Sequence, residues 1–147
     1  PPCTYISRAG ARWMFEGGLN KKRFSEGIKA KKFFLMLLNA PITRIAIENP
    51  TPLKIFCLPK ENQVIQPYQF GHKYSKRTLL WLKNLPPLKP TKIINEYEPY
   101  LPSNTGGKKR GQVYRFKNIS QKESSKTFEG IASAMAEQWG NVLTQSV

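Results

Sequence analysis

The chain has 147 residues, 39% of them hydrophobic, which suits a globular domain, or part of one, with a real core. Its 24 Lys and Arg residues against 9 acids give a net charge of +15, which favours a polyanionic partner such as nucleic acid. All 9 acids are Glu, and the 2 Cys and 1 His lack zinc-ligand spacing, which argues against most magnesium-dependent nucleases and against zinc deaminases. No apolar run approaches ~18 residues, so no membrane span is predicted.

The first half of the chain predicts a loop, a helix and a buried strand. Residues 1–20 contain glycines that are typical of loops. Apolar residues fall on one face of a predicted helix over 21–38. The following residues, Asn39, Ala40 and Pro41, are expected to end this helix. A short strand is predicted at 44–48, with alternate residues on opposite faces. A helix followed by a buried strand is typical of an α/β sheet.

The second half predicts a hairpin, a loop-rich stretch and a closing helix. Residues 63–70 and 76–83 have strand-like composition, with a turn through 72–75. Prolines, glycines and basic residues then dominate 84–126. Apolar residues recur at helical spacing over 128–143.

These elements predict three regions and a DNA-contacting tract. We expect a catalytic α/β portion at 1–85, a basic insert at 86–126, and a C-terminal helix at 127–147 that packs on the catalytic portion. Cations in the insert lie among glycines and favour phosphate contacts. The predicted DNA-binding residues are Lys108, Lys109, Arg110, Arg115 and Lys117. A solvated loop is the alternative interpretation of this tract.

Two segments have side chains suited to chemistry on a base. Cys3 follows Pro2 on a stiff loop, where a thiolate could add to an electrophilic carbon, although a Cys is often only a small buried hydrophobe. Glu48 ends a strand, where a half-buried carboxyl with a raised pKa could protonate a ring nitrogen. Asn49 could hold the loop or the base, and Pro50 restricts it to extended geometry. A surface Glu and a turn-forming Asn are the alternatives.

In this order the two segments resemble the nucleophile loop and the Glu-Asn loop of the cytosine carbon-5 DNA methyltransferases. Residues 66–72, 76–86 and 130–139 are also similar to small, phage-type members of that family. The chain departs from the family pattern at Thr4, where Gln is common, and at Pro50, where Val is usual. The glycine-rich cofactor loop is also absent.

The resemblance implies a fold, a reaction and a cofactor. The fold would be a partial class I, Rossmann-like methyltransferase fold, with an upstream part missing from the sequence. The reaction would transfer a methyl group from S-adenosylmethionine to carbon 5 of a cytosine flipped out of double-stranded DNA. Its setting would be the cytoplasm of a bacterium or of a phage-infected cell.

The resemblance also assigns residue roles. Cys3 would be the nucleophile, and Glu48 with Asn49 the second catalytic pair. Lys76 and Arg77 are the nearest match to an Arg-rich segment that supports the base and the Glu. Pro2 and Pro50 would support the two loops. The basic insert falls where the family has its target-recognition region, and no metal is implied.

Two other functions fit parts of this pattern. An amino-methyltransferase uses a polar residue followed by Pro-Pro and an aromatic ring, but here Cys3 stands at the aromatic position and Glu48-Asn49-Pro50 is unexplained. A non-enzymatic DNA-binding relic of a methyltransferase would keep only the basic surface. Substitution of Cys3 distinguishes an enzyme from the relic.

Overall fold

The structure is a computed structural model that describes residues 3–100 and 126–140. Its helices are α1 (Ala11–Phe15), α2 (Lys21–Leu38) and α3 (Glu129–Gly140). Its strands are β1 (Ile45–Asn49), β2 (Gln63–Ile65), β3 (Tyr74–Ser75), β4 (Thr78–Lys83) and β5 (Glu98–Pro99). Among the described helices, none combines the length and the apolarity that crossing a bilayer requires.

The chain divides into two compact units. The first contains Pro1–Ile65 and Arg77–Pro87, and the second contains Gln66–Lys76 and Leu88–Val147. The predicted boundary at residue 85 lies near the end of the first unit. The segment 66–76, which the sequence analysis assigns to the catalytic portion, belongs instead to the second unit.

Helix α2 is the main helix of the first unit. Asn20 caps its start, because the Asn20 side-chain oxygen accepts a hydrogen bond of 3.0 Å from the Arg23 backbone N–H. Asn39 ends it, and the Asn39 side chain donates to the Leu35 carbonyl at 2.8 Å. The predicted helix over 21–38 is confirmed, since α2 spans Lys21–Leu38.

The sheet of the first unit has the order β1-β4-β2, and both pairings are antiparallel. Ile47 lies opposite Trp81, and Val64 lies opposite Leu79. The predicted strand at 44–48 is confirmed with its bounds shifted by one residue. The part of the chain that the structure describes contains no doubly wound parallel sheet, so the class I methyltransferase fold stays a prediction.

A hydrophobic core fixes β1 in place. Helix α2 contributes Phe34 to a buried cluster that also contains Ile45, Ile47, Leu79 and Trp81. The rings of Phe34 and Trp81 pack edge to face with their centres 4.9 Å apart. The Trp81 indole N–H donates to the Pro59 carbonyl at 2.8 Å, which satisfies the one polar atom of the ring. The strand that ends in Glu48 and Asn49 therefore has a rigid support.

The segment between β2 and β4 differs from the predicted hairpin. Strand β2 stops at Ile65 because a 3-10 helix begins at Pro67, and the side chains of Gln66 and Gln69 cap that helix reciprocally. The strand prediction for 66–70 is therefore wrong, although β2 and β4 do pair antiparallel as expected. Within the second unit, β3 pairs parallel with β5.

The closing helix α3 docks by its first turn inside the second unit. The Gly130 backbone N–H donates to Nε2 of His72 at 2.9 Å, so the imidazole satisfies a free N–H of the helix end. A Cβ at position 130 would collide with the Phe70 carbonyl oxygen, so this approach requires glycine. The helix predicted at 128–143 is confirmed over Glu129–Gly140, and its later residues lie outside the described part.

Candidate active site

The loop that contains Cys3 is tied back on itself. The Cys3 carbonyl accepts hydrogen bonds from the backbone N–H groups of Ile6 at 3.2 Å and Ser7 at 2.9 Å. Cys3 is half-buried and forms no disulfide. Pro2, before it, lies outside the described residues. The turn leaves the thiol at the start of an ordered loop rather than in the core.

Backbone hydrogen bonds join this loop to the segment that follows β1. The Arg8 N–H donates to the Thr51 carbonyl at 2.8 Å, and the Leu53 N–H donates to the Ile6 carbonyl at 2.7 Å. Ser7 and Pro52 form an antiparallel bridge between these bonds. The residues that follow Cys3 therefore lie beside the residues that follow Asn49 and the half-buried Pro50. The fold brings the two predicted loops together.

Glu48 and Asn49 point to opposite faces of the sheet. Burial alternates along β1, so Ala46 and Glu48 are exposed, whereas Ile45, Ile47 and Asn49 are buried. The expectation of a half-buried Glu48 carboxyl is wrong, because Glu48 is an exposed residue of β1. The two residues therefore cannot contact one face of a base together. Glu48 is the accessible member of the pair.

Asn49 is the most unusual polar group of the site. Its side chain is 1% exposed, and neither Oδ1 nor Nδ2 has a hydrogen-bond partner among the described residues. A buried amide without partners costs ~1–3 kcal/mol relative to one that is hydrogen-bonded. Such a cost at the carboxyl end of a strand is typical of a functional position.

Arg23 is a site residue that the sequence analysis missed. It lies in the first turn of α2, and its Nη2 donates to the Thr4 carbonyl at 2.6 Å. Gly10 makes room for this bond, since a Cβ there would lie 2.6 Å from the same Nη2 atom. The Arg23 guanidinium thus links α2 to the residue next to Cys3. Arg23 lies 19 residues from Thr4 in the sequence, so no local pattern predicts this contact.

Lys76 and Arg77 are engaged in different units. Arg77 forms an ion pair of 3.6 Å with Glu61 in the first unit. In the second unit, the Lys76 ammonium lies 5.9 Å from the ring centres of both Tyr100 and Phe128. The predicted role of Lys76 and Arg77 in supporting Glu48 stays a prediction.

The remaining predicted sites have little structural context. Lys108, Lys109, Arg110, Arg115 and Lys117 lie outside the described residues. Gly17 and Gly18 connect α1 to α2, so they do not form the strand–glycine loop–helix arrangement that binds S-adenosylmethionine in class I folds. Gly17 and Gly18 therefore do not supply the binding loop for that cofactor. The described residues contain no group of three or more potential metal ligands.

Comparison with known proteins adds no relative. No family model matches the chain, and neither a curated protein sequence nor a solved structure matches it. The assignment of a function therefore rests on the residues and on the geometry described above.

Replacing Arg23 by Met is expected to loosen the Cys3 loop. Loss of a charge-assisted hydrogen bond worth ~1.5–3 kcal/mol should speed amide hydrogen exchange of Ile6 and Ser7 about tenfold or more. Hydrogen exchange read by mass spectrometry on the peptide spanning 3–8 measures this effect. Arg12→Met is the matched control, since Arg12 forms an exposed ion pair with Glu16 among the described residues. Unchanged exchange in Arg23→Met would show that the Thr4 contact does not hold the loop.

Proposed function

We propose that the chain contains the base-attacking part of a cytosine carbon-5 DNA methyltransferase. The observation that supports this most is the pairing of residues 6–8 with 51–53, which places the loop of Cys3 beside the loop after Glu48 and Asn49. Two segments distant in sequence, each with the residue types that this chemistry needs, are thereby neighbours. The net charge of +15 suits a DNA substrate.

In this proposal Cys3 is the nucleophile. Its thiolate attacks carbon 6 of the cytosine ring, a carbon–sulfur bond forms, and the electron pair of the carbon 5–carbon 6 double bond moves into the ring. The adduct makes carbon 5 electron-rich. Carbon 5 then takes an electrophile, loses its original proton to solvent, and the carbon–sulfur bond breaks to release the thiolate. Cys3 is half-buried and forms no disulfide, so it carries a free thiol.

Glu48 is the proton donor to the ring in this proposal. Attack at carbon 6 raises the basicity of ring nitrogen 3, and a carboxyl that donates a proton there stabilises the adduct. Glu48 is exposed, so an incoming base can reach it. A base that covers the carboxyl also desolvates it, and desolvation favours the protonated form that can donate.

Asn49 holds the loop rather than the base. It lies on the buried face of β1, away from Glu48, with a free donor and a free acceptor among the described residues. A small movement of the neighbouring backbone when substrate binds would supply partners for that amide. Asn49 is therefore a positioning residue in this proposal.

The decisive experiment needs no methyl donor. Adduct formation at carbon 6 makes carbon 5 exchange its hydrogen with water, so the chain should release tritium from a duplex that contains 5-tritiated cytosine. A duplex tritiated only at thymine methyl groups is the control, since it offers no exchangeable position. Absence of tritium release above buffer, with DNA binding intact, would refute the nucleophile chemistry and favour a DNA-binding relic.

A further inference from the structure

The first unit has an aromatic pair around a cation next to the candidate nucleophile. The Arg23 guanidinium carbon lies 5.1 Å from the ring centre of Tyr5 and 5.7 Å from that of Trp13. Trp13 is 61% exposed and Tyr5 is 36% exposed, so both rings present area to solvent. Tyr5 follows Cys3 by two residues on the candidate nucleophile loop, and Trp13 lies in α1.

The unit exposes other apolar side chains too, including the rings of Phe15 and Phe33 at 46% and 40%. Met36 and Ile42 are similarly exposed, at 59% and 58%, but they are aliphatic and have no stacking face. Trp13 and Tyr5 offer flat rings, and Arg23 fixes their positions through cation–π contact and through its bond to Thr4. A rigid aromatic face costs little conformational entropy when a flat ligand stacks on it.

The charge around the two rings identifies the ligand class. Residues 3–23 contain five cations against a single acid, Glu16, which pairs with Arg12. Of the other four cations, three are exposed: Arg8, Lys21 and Lys22. Exposed aromatic rings interleaved with basic side chains are the composition that binds single-stranded nucleic acid, in which bases stack on rings and phosphates meet cations.

We propose that Tyr5, Trp13 and Arg23 form a stacking surface for unpaired bases of single-stranded DNA. The exposed rings are the platform, and Arg8, Lys21 and Lys22 contact the phosphates. A duplex has its bases stacked internally, so this surface binds DNA only where bases are unpaired. The position of the surface beside a reacting cytosine rests on the proposed function, whereas the stacking itself does not.

Tryptophan fluorescence tests the proposal directly. The chain has three Trp residues, of which Trp13 is exposed, Trp81 is 1% exposed and Trp139 is half-buried. Titration with a 12-nucleotide oligodeoxythymidine should quench the emission, because a stacked base quenches indole. A duplex of equal length should quench far less at the same salt concentration.

Matched variants separate stacking from simple charge attraction. Trp13→Phe keeps a ring, so binding measured by anisotropy should stay within about threefold while the quench disappears. Trp13→Ala removes the ring and should weaken oligodeoxythymidine binding about tenfold or more. Met36→Ala, at an equally exposed position of α2, should change neither quench nor affinity. Circular dichroism shows that each variant is folded.

Three outcomes would overturn the stacking surface: a full quench in Trp13→Phe, wild-type affinity in Trp13→Ala, or equal quenching by the duplex. Cys3→Ser should keep the full quench, because its thiol takes no part in stacking. A quench without tritium release leaves the stacking surface standing and removes the proposed chemistry. Tritium release without a quench leaves the proposed chemistry standing and removes the stacking surface.

Discussion

A Cys3→Ser chain is expected to lose all detectable exchange of the cytosine carbon-5 hydrogen while it retains wild-type affinity for DNA. A free thiol is a few per cent thiolate at pH 7, whereas a serine hydroxyl is essentially un-ionised there and is a much poorer nucleophile. The exchange rate should fall by at least ~10³, a loss typical of removing a catalytic nucleophile. Tritium release and anisotropy on one preparation measure the two quantities separately.

Cys57 provides the matched control for this substitution. It is the second thiol of the chain, it is exposed, and its Sγ donates to the Lys54 carbonyl at 3.4 Å. Cys57→Ser preserves a donor at that position, so exchange should proceed at the wild-type rate. Wild-type exchange in Cys3→Ser, or its loss in Cys57→Ser alone, would contradict the assignment of Cys3.

Local patterns were sufficient to predict the elements that support the site. The helix predicted over 21–38 follows from an apolar face that the stretch Asn39–Pro41 ends, and the strand predicted at 44–48 follows from the alternation of Ile45, Ala46 and Ile47. Both signals lie within a few residues of the element itself. The proximity of the Cys3 loop to the end of β1 could be predicted only through the family resemblance, because the hydrogen bonds between residues 6–8 and 51–53 are long-range.

The failures of prediction have equally specific causes. The composition of 66–70 favours a strand, but Pro67 and the reciprocal capping by Gln66 and Gln69 favour a 3-10 helix instead. Arg23 looks like one more cation on a basic helix, and only the tertiary structure shows that Gly10 gives it access to Thr4. A partial burial of Glu48 was inferred from its strand position, yet the pleat turns Glu48 outward when its neighbours turn inward.

Asn49→Leu is expected to make the protein more stable and less active at once. Leu has nearly the shape of Asn, and it replaces an amide that lacks hydrogen-bond partners among the described residues with a side chain suited to burial. The free energy of unfolding should rise by ~1–3 kcal/mol, the cost of the unsatisfied buried amide. Urea denaturation measures the rise. Tritium release from 5-tritiated cytosine should fall, because Leu cannot form the hydrogen bonds that the Asn49 amide gains on substrate binding in this proposal.

The same substitution at Asn62 should have the opposite effect on stability. The Asn62 side-chain oxygen accepts a hydrogen bond of 2.8 Å from the Leu82 backbone N–H, so Asn62→Leu removes a satisfied bond and should lower the free energy of unfolding by ~0.5–1.5 kcal/mol. Asn62 lies away from β1, so tritium release should be unchanged.

If Asn49→Leu instead destabilises the protein as Asn62→Leu does, Asn49 is an ordinary structural amide. A stability gain without loss of exchange would also remove Asn49 from the site. Only a gain in stability paired with a loss of exchange fits an amide kept for function, because selection for stability alone would favour an apolar residue there.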